Sequence, residues 1–146
     1  MPKPASTLLF ETIPEAGLLI SYQTTATPRD DEWEAYLTAC KELLASHPKP
    51  CFLVVTHGGH PSRQQQARVK AELGYRTSPV AIISKATIAR FVASIMALMN
   101  PAIQCFAPEQ RDQAFSHLHL DAAQRKLVLA SLDRMTKKLG ESSAAA

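Results

Sequence analysis

No stretch of the sequence holds 18 apolar residues without a charge; the nearest, Ile88 to Met99, is short and contains Arg90. A helix needs roughly that length to cross a bilayer, so a membrane span is not expected. Nor does a signal-peptide core open the chain. Met1-Pro2-Lys3-Pro4 leads straight into strand-like sequence, and the expectation is a cytoplasmic protein. Cysteine is scarce and poorly placed for pairing. Cys40, Cys51 and Cys105 lie far apart, odd in number and without a C-x-x-C spacing, so reduced buried thiols are expected rather than disulfides. Internal repeats, low-complexity blocks and linkers are also missing, which leaves one domain. The 146 residues, 46% hydrophobic and 20% charged, suffice for a core that folds without staples.

Acids are missing from the middle of the chain. Residues 1–42 carry seven acids against three bases, a net charge of −4, whereas residues 43–108 carry Glu72 alone against seven bases, net +6. A middle third of that sign favours an anionic ligand or an acidic partner surface. Its bases are spaced out and not interleaved with aromatic residues, so nucleic acid is not expected as a partner.

The elements can be read in order. Leu8 to Ile13 and Leu18 to Thr24 read as strands around the turn Pro14-Glu15-Ala16-Gly17, and so as an antiparallel hairpin. Leu18, Ile20 and Tyr22 alternate with Leu19, Ser21 and Gln23. Thr27-Pro28-Arg29-Asp30 reads as a helix start with Thr27 as cap, and Trp33, Tyr36, Leu37, Cys40, Leu43 and Leu44 form its core stripe. Cys51 to Val55 reads as a buried strand, and Pro61 to Leu73 as a helix closed by Gly74. The unit then recurs as strand Val80 to Ile83, helix Thr87 to Met99, strand Ile103 to Phe106 and helix Pro108 to Leu118. A last helix runs from Asp121 to Leu139, before a frayed, disordered tail at residues 140–146. The order β-β-α-β-α-β-α-β-α-α predicts an α/β domain whose mixed sheet of four to five strands opens with an antiparallel hairpin and continues in parallel.

With this order, the capped helix at Thr27, the run Cys51 to Val55 leading into a loop and helix, and the closing segment Pro108 to Leu118, the chain resembles the STAS-like family. That is the fold of bacterial anti-sigma-factor antagonists, and the resemblance covers about residues 8–118. It implies a regulatory module that works by binding another protein. In that family a Ser or Thr in the loop after the third strand is phosphorylated, usually beside an Asp. Here the loop reads Thr56-His57-Gly58-Gly59-His60-Pro61-Ser62, with hydroxyls at matching places and no acid.

Open α/β sheets bind ligands outside the carboxyl ends of their parallel strands, which points to Thr56 to Ser62, Ser84 to Thr87 and Ala107 to Glu109. Thr56, His57, Gly58, Gly59, His60, Ser62, Arg63, Ser84 and Lys85 form a candidate ligand- or partner-binding edge. There a helix N-terminus and nearby bases suit an anion or a phosphorylated Ser62. The plainer reading makes the glycines a tight turn and leaves the histidines solvated. An enzymatic reading, a hydrolase or transferase, takes His57 or His60 as general base and Thr56, Ser62 or Ser84 as nucleophile, but no acid nearby in sequence orients either ring. His57 and His60 have a usable metal spacing without a neighbouring carboxylate or thiol, so neither metal nor cofactor is expected. The helix Thr87 to Met99 is apolar nearly all round, and Phe91, Ile95, Met96 and Met99 are candidate interaction residues. Either the last helix covers it, or another chain does, by self-association or as a protein partner. A small anion- or lipid-binding domain using the loop after the third strand is the alternative function.

Overall fold

The hairpin forms as read, and the rest of the domain is built by stepping outward from its second strand. In this computed structural model residues 5–74, 77–98 and 100–145 are described. Strands β1 (Leu8–Ile13) and β2 (Leu18–Gln23) pair antiparallel through a turn at Pro14–Ala16. Gly17 closes that turn at φ +59°, donating its N–H to the Pro14 carbonyl at 3.1 Å. Strands β3 (Cys51–Thr56), β4 (Val80–Ile83) and β5 (Ile103–Phe106) then add in parallel, giving one sheet in the order β1-β2-β3-β4-β5.

That sequential order dictates where the helices lie. Parallel strands are joined by right-handed crossovers, so strands that always step to the same side put every connecting helix on the same face. Helices α1 (Asp30–Ser46), α2 (Arg63–Leu73) and α3 (Thr87–Met96) are the three crossovers. Leu19 and Phe52 pack there with Trp33, Tyr36, Leu37, Cys40 and Leu43 of α1, and with Val69 and Leu73 of α2. Met96 of α3 sits over Val80 and Ile82 on that same face. The opposite face, with Ile20, Leu53, Ala81 and Ile83, is left for α4 (Arg111–His117) and α5 (Ala122–Ala145), which supply Phe115, Val128, Leu132 and Met135. Both faces are therefore covered, and β2 lies wholly buried, with Ser21 and Gln23 turned inward along with its apolar residues.

Several boundaries differ from the sequence reading. The first helix starts at Asp30, not at a Thr27 cap, because the Glu32 carboxylate accepts the Arg29 N–H at 3.1 Å and the Thr7 and Leu8 N–H groups at 2.9 and 3.2 Å. One side chain thus caps the helix and ties it to β1. Helix α2 begins at Arg63 rather than Pro61, with Ser62 as its cap. Helix α3 stops at Met96, where Asn100 draws the chain back by donating to the Ser78 carbonyl at 2.9 Å and accepting the Ala102 N–H at 3.0 Å. Met99 lies outside the described residues. The closing segment is a 3₁₀ turn, Pro108–Gln110, followed by α4. The last helix runs past Leu139 to Ala145, over residues expected to be a frayed tail. No helix among the described residues is long and apolar enough to cross a membrane.

Candidate functional site

The carboxyl ends of β2 to β5 place four loops along one edge, and the loop after β3 is the best defined. Thr56 is buried, and its hydroxyl donates to the Gly59 carbonyl at 2.5 Å while accepting the Gly58 N–H at 3.2 Å. The His57 and Gly59 N–H groups donate to the carbonyls of Gln23 and Thr24 at 3.1 and 2.8 Å, so this loop is laced to the one leaving β2. Gly59 is needed for that approach. A Cβ there would lie 2.3 Å from the Ala26 carbonyl oxygen and 2.5 Å from that of Thr24. Gly58, at φ +129°, takes a backbone conformation L side chains rarely adopt, and a Cβ on it would sit 3.7 Å from the Ala86 methyl. The loops after β3 and β4 are therefore neighbours, as the site reading requires. Gly59 brings backbone to backbone within the protein.

The N-terminus of α2 is closed from within. The Ser62 hydroxyl accepts the Gln65 N–H at 3.1 Å, and the Gln65 side chain accepts the Ser62 N–H at 2.9 Å, a reciprocal capping box. The Gln65 amide then donates to the Pro28 carbonyl at 2.8 Å and to the Asp30 carboxylate at 3.1 Å. Its own carbonyl accepts the Trp33 indole N–H at 3.2 Å. Gln65 is thus a buried polar knot joining the start of α2 to the start of α1. The sequence reading missed it, although a Ser followed three residues later by Gln is the signal for such a box.

The hydroxyls proposed as nucleophiles all serve the backbone. Thr56 and Ser62 are occupied as described, and buried Ser84 accepts the Ala86 N–H at 3.1 Å. The exposed His57 ring sits 2.7 Å, Nε2 to oxygen, from the Tyr22 hydroxyl, and His60 Nδ1 lies 3.1 Å from the Pro61 carbonyl. No cluster of three or more His, Cys, Asp or Glu residues that could hold a metal exists among the described residues. Burial pushes the Cys40 thiol up to about 12 and the Cys51 thiol up to about 11, far from a nucleophilic thiolate at neutral pH.

Charge is redistributed by folding. Ion pairs join α1 and α2 in both directions: Arg68 of α2 bonds to Glu34 of α1 and to Glu72 of its own helix, and Lys41 of α1 bonds to Glu72. Exposed pairs of this kind stabilise little, yet they take Arg68 out of the free positive charge of the middle third. Arg63, Lys85 and Arg90 are exposed, with no ion pair among the described residues.

Helix α3 is the other candidate surface. Val92 and Ala93 are buried against the domain, whereas Ile88, Phe91, Ile95 and Leu98 are 49%, 62%, 42% and 81% exposed. At 100° per residue Ile88, Phe91 and Ile95 form one stripe, with Arg90 and Ser94 beside it, and Leu98 follows in the turn after the helix. Phe91 and Ile95 therefore lie on the open face. Met96 turns inward over the sheet, and Ile88 and Leu98 join the surface in its place. The last helix does not cover the stripe, since its apolar residues pack on the other side of the sheet. No family model matches this chain, and no curated protein or solved structure matches it either.

Proposed function

We propose that this chain is a non-enzymatic regulatory module of STAS-like type that docks a partner protein on the outer face of α3. The observation that carries this reading is the stripe Ile88, Phe91 and Ile95, continued by Leu98 in the turn after the helix, left open by a fold that buries the inner side of the same helix. Exposed apolar patches of several hundred Å² mark interaction sites, and covering them is favourable by roughly 25 cal/mol per Å². Spacing of 3 and 4 residues, from Ile88 to Phe91 to Ile95, is the seam along which one helix packs on another, so the expected occupant is an apolar helix. Lys85 beside the helix and Arg90 on it are exposed and in no ion pair among the described residues, so the partner's edge is expected to carry carboxylates. The element order supports the family part of the reading. Hydroxyls occupied by backbone in the 56–62 loop support binding over catalysis.

Site-specific crosslinking tests this directly. A benzophenone side chain replaces Phe91 in the full chain, with a control at exposed Thr38 on α1. The expected result is a crosslink from position 91, absent from position 38, to one protein through a segment with helically spaced apolar residues edged by acids. Crosslinks only between copies of this chain, or identical products from both positions, would contradict the reading.

A further inference from the structure

A cavity of about 140 Å³ lies between the sheet and the crossover helices, bordered by Pro61 of the loop after β3 and by Met96 of α3. Its floor is Phe52, Val54, Val80 and Ile82, and its walls come from α1, α2 and Met96 of α3. The sequential strand order creates it. Three helices share one face, and from α3 only Met96 lines the cavity among the described residues. Gln23, at the carboxyl end of β2, also lines the cavity. It is 4% exposed, and its Oε1 is buried without a hydrogen-bond partner. An unpaired buried amide oxygen costs about 1–3 kcal/mol, an unusual thing to keep beside an apolar space.

We infer that this cavity is a binding site for a small hydrocarbon ring bearing one hydroxyl group, with the Gln23 side-chain amide as its polar anchor. The volume sets the size, because an apolar cavity of roughly 150 Å³ takes up a molecule as large as benzene. The amide sets the chemistry. A hydroxyl donates to a carbonyl oxygen and accepts from an amide N–H, so it satisfies whichever end of Gln23 faces the cavity. Most of the remaining lining is aromatic or aliphatic, and of its other polar residues the Asn100 side chain is bonded to Ser78 and Ala102 and the Trp33 indole to Gln65. This inference is independent of docking at α3, and either one stands if the other fails.

The test compares phenol with benzene, binding each to the full chain and measuring affinity from the ligand-dependent rise in melting temperature. In a wholly apolar cavity benzene binds better, because phenol must leave its hydroxyl unpaired. The expected result is the reverse, phenol tighter by about fivefold or more, with the order switching to favour benzene in Gln23→Leu. A second measurement needs no variant: phenol, and not benzene, shifts the Gln23 side-chain amide signals in a nitrogen–proton NMR spectrum. Benzene binding the wild type as tightly as phenol would overturn the inference. So would unmoved Gln23 signals on adding phenol, or neither compound binding at millimolar concentration.

Discussion

Replacing Gln65 by Leu tests whether the knot between α1 and α2 holds the edge of the domain together. The Gln65 side chain accepts one hydrogen bond, from the Ser62 N–H, and donates two, to the Pro28 carbonyl and the Asp30 carboxylate. Leu keeps the approximate volume and removes all three. Each bond contributes about 0.5–1.5 kcal/mol net, and stranding a buried group such as the Pro28 carbonyl costs about 1–3 kcal/mol. Allowing for the apolar burial that Leu gains, the loss is about 2–4 kcal/mol. For a chain of this length that lowers the melting temperature by roughly 6–12 °C. Urea unfolding should show a lower midpoint with an unchanged slope. Gln65→Glu sharpens the test. Its carboxylate can still accept from Ser62, but it faces the Pro28 carbonyl and the Asp30 carboxylate without a proton to give. Its folded-state pKa is therefore raised. The penalty is present at neutral pH and is relieved as the pH falls through that raised value, when the protonated acid can donate again. The gap to wild type should narrow between about pH 7 and pH 5. A Leu variant within about 0.5 kcal/mol of wild type, or a Glu variant whose deficit ignores pH, would refute the reasoning.

Three further outcomes follow from single contacts. Gly59→Ala should destabilise the chain by about 2 kcal/mol or more, because its Cβ meets two carbonyl oxygens that cannot swing aside; thermal unfolding measures it, and a neutral result would show the loop free to move. Burial pushes the Glu32 carboxyl up, but hydrogen bonds from Thr7, Arg29 and Leu8 outweigh this and hold it below the ordinary glutamate value. That stability is present above the unfolded value and is lost as pH falls below about 4.3 through the folded one, so Glu32→Gln should flatten the acid limb of a stability–pH profile. Phe91→Ser should change the stability of the isolated chain by no more than about 0.5 kcal/mol in urea unfolding, since the ring is mostly exposed. A loss of about 3 kcal/mol there would mean the ring is buried within the chain itself.

Most of the architecture was legible because it rests on local signals. The turn at Pro14–Gly17, the apolar run of β3 and the Gly74 close of α2 each act over a few residues, and their elements lie within a few residues of where those signals put them. What local signals could not assign was the face of the sheet each helix takes. Whether the last helix covers α3 depends on strand order, and only the sequential order β2 to β5 sends α5 to the opposite side. The same order leaves Gln23 buried in a strand covered on both faces. At the loop after β3 Gly59 lets two stretches of backbone meet, a contact with Ala26 33 residues away in sequence that no spacing announces. Ser62 was read as a first-turn residue, whereas its hydroxyl is the cap.

The central claim, that the outer face of α3 and not the loop after β3 is the docking surface, comes down to one titration. The protein captured at position 91 is purified and titrated against the wild type, Ile95→Asp and Ser62→Asp. Asp caps a helix about as well as Ser, so Ser62→Asp adds charge to the loop without unfolding it. The account predicts that Ile95→Asp weakens binding by about tenfold or more while Ser62→Asp leaves it within about twofold of wild type. Tight binding by Ile95→Asp together with loss in Ser62→Asp would contradict it and return the function to the loop.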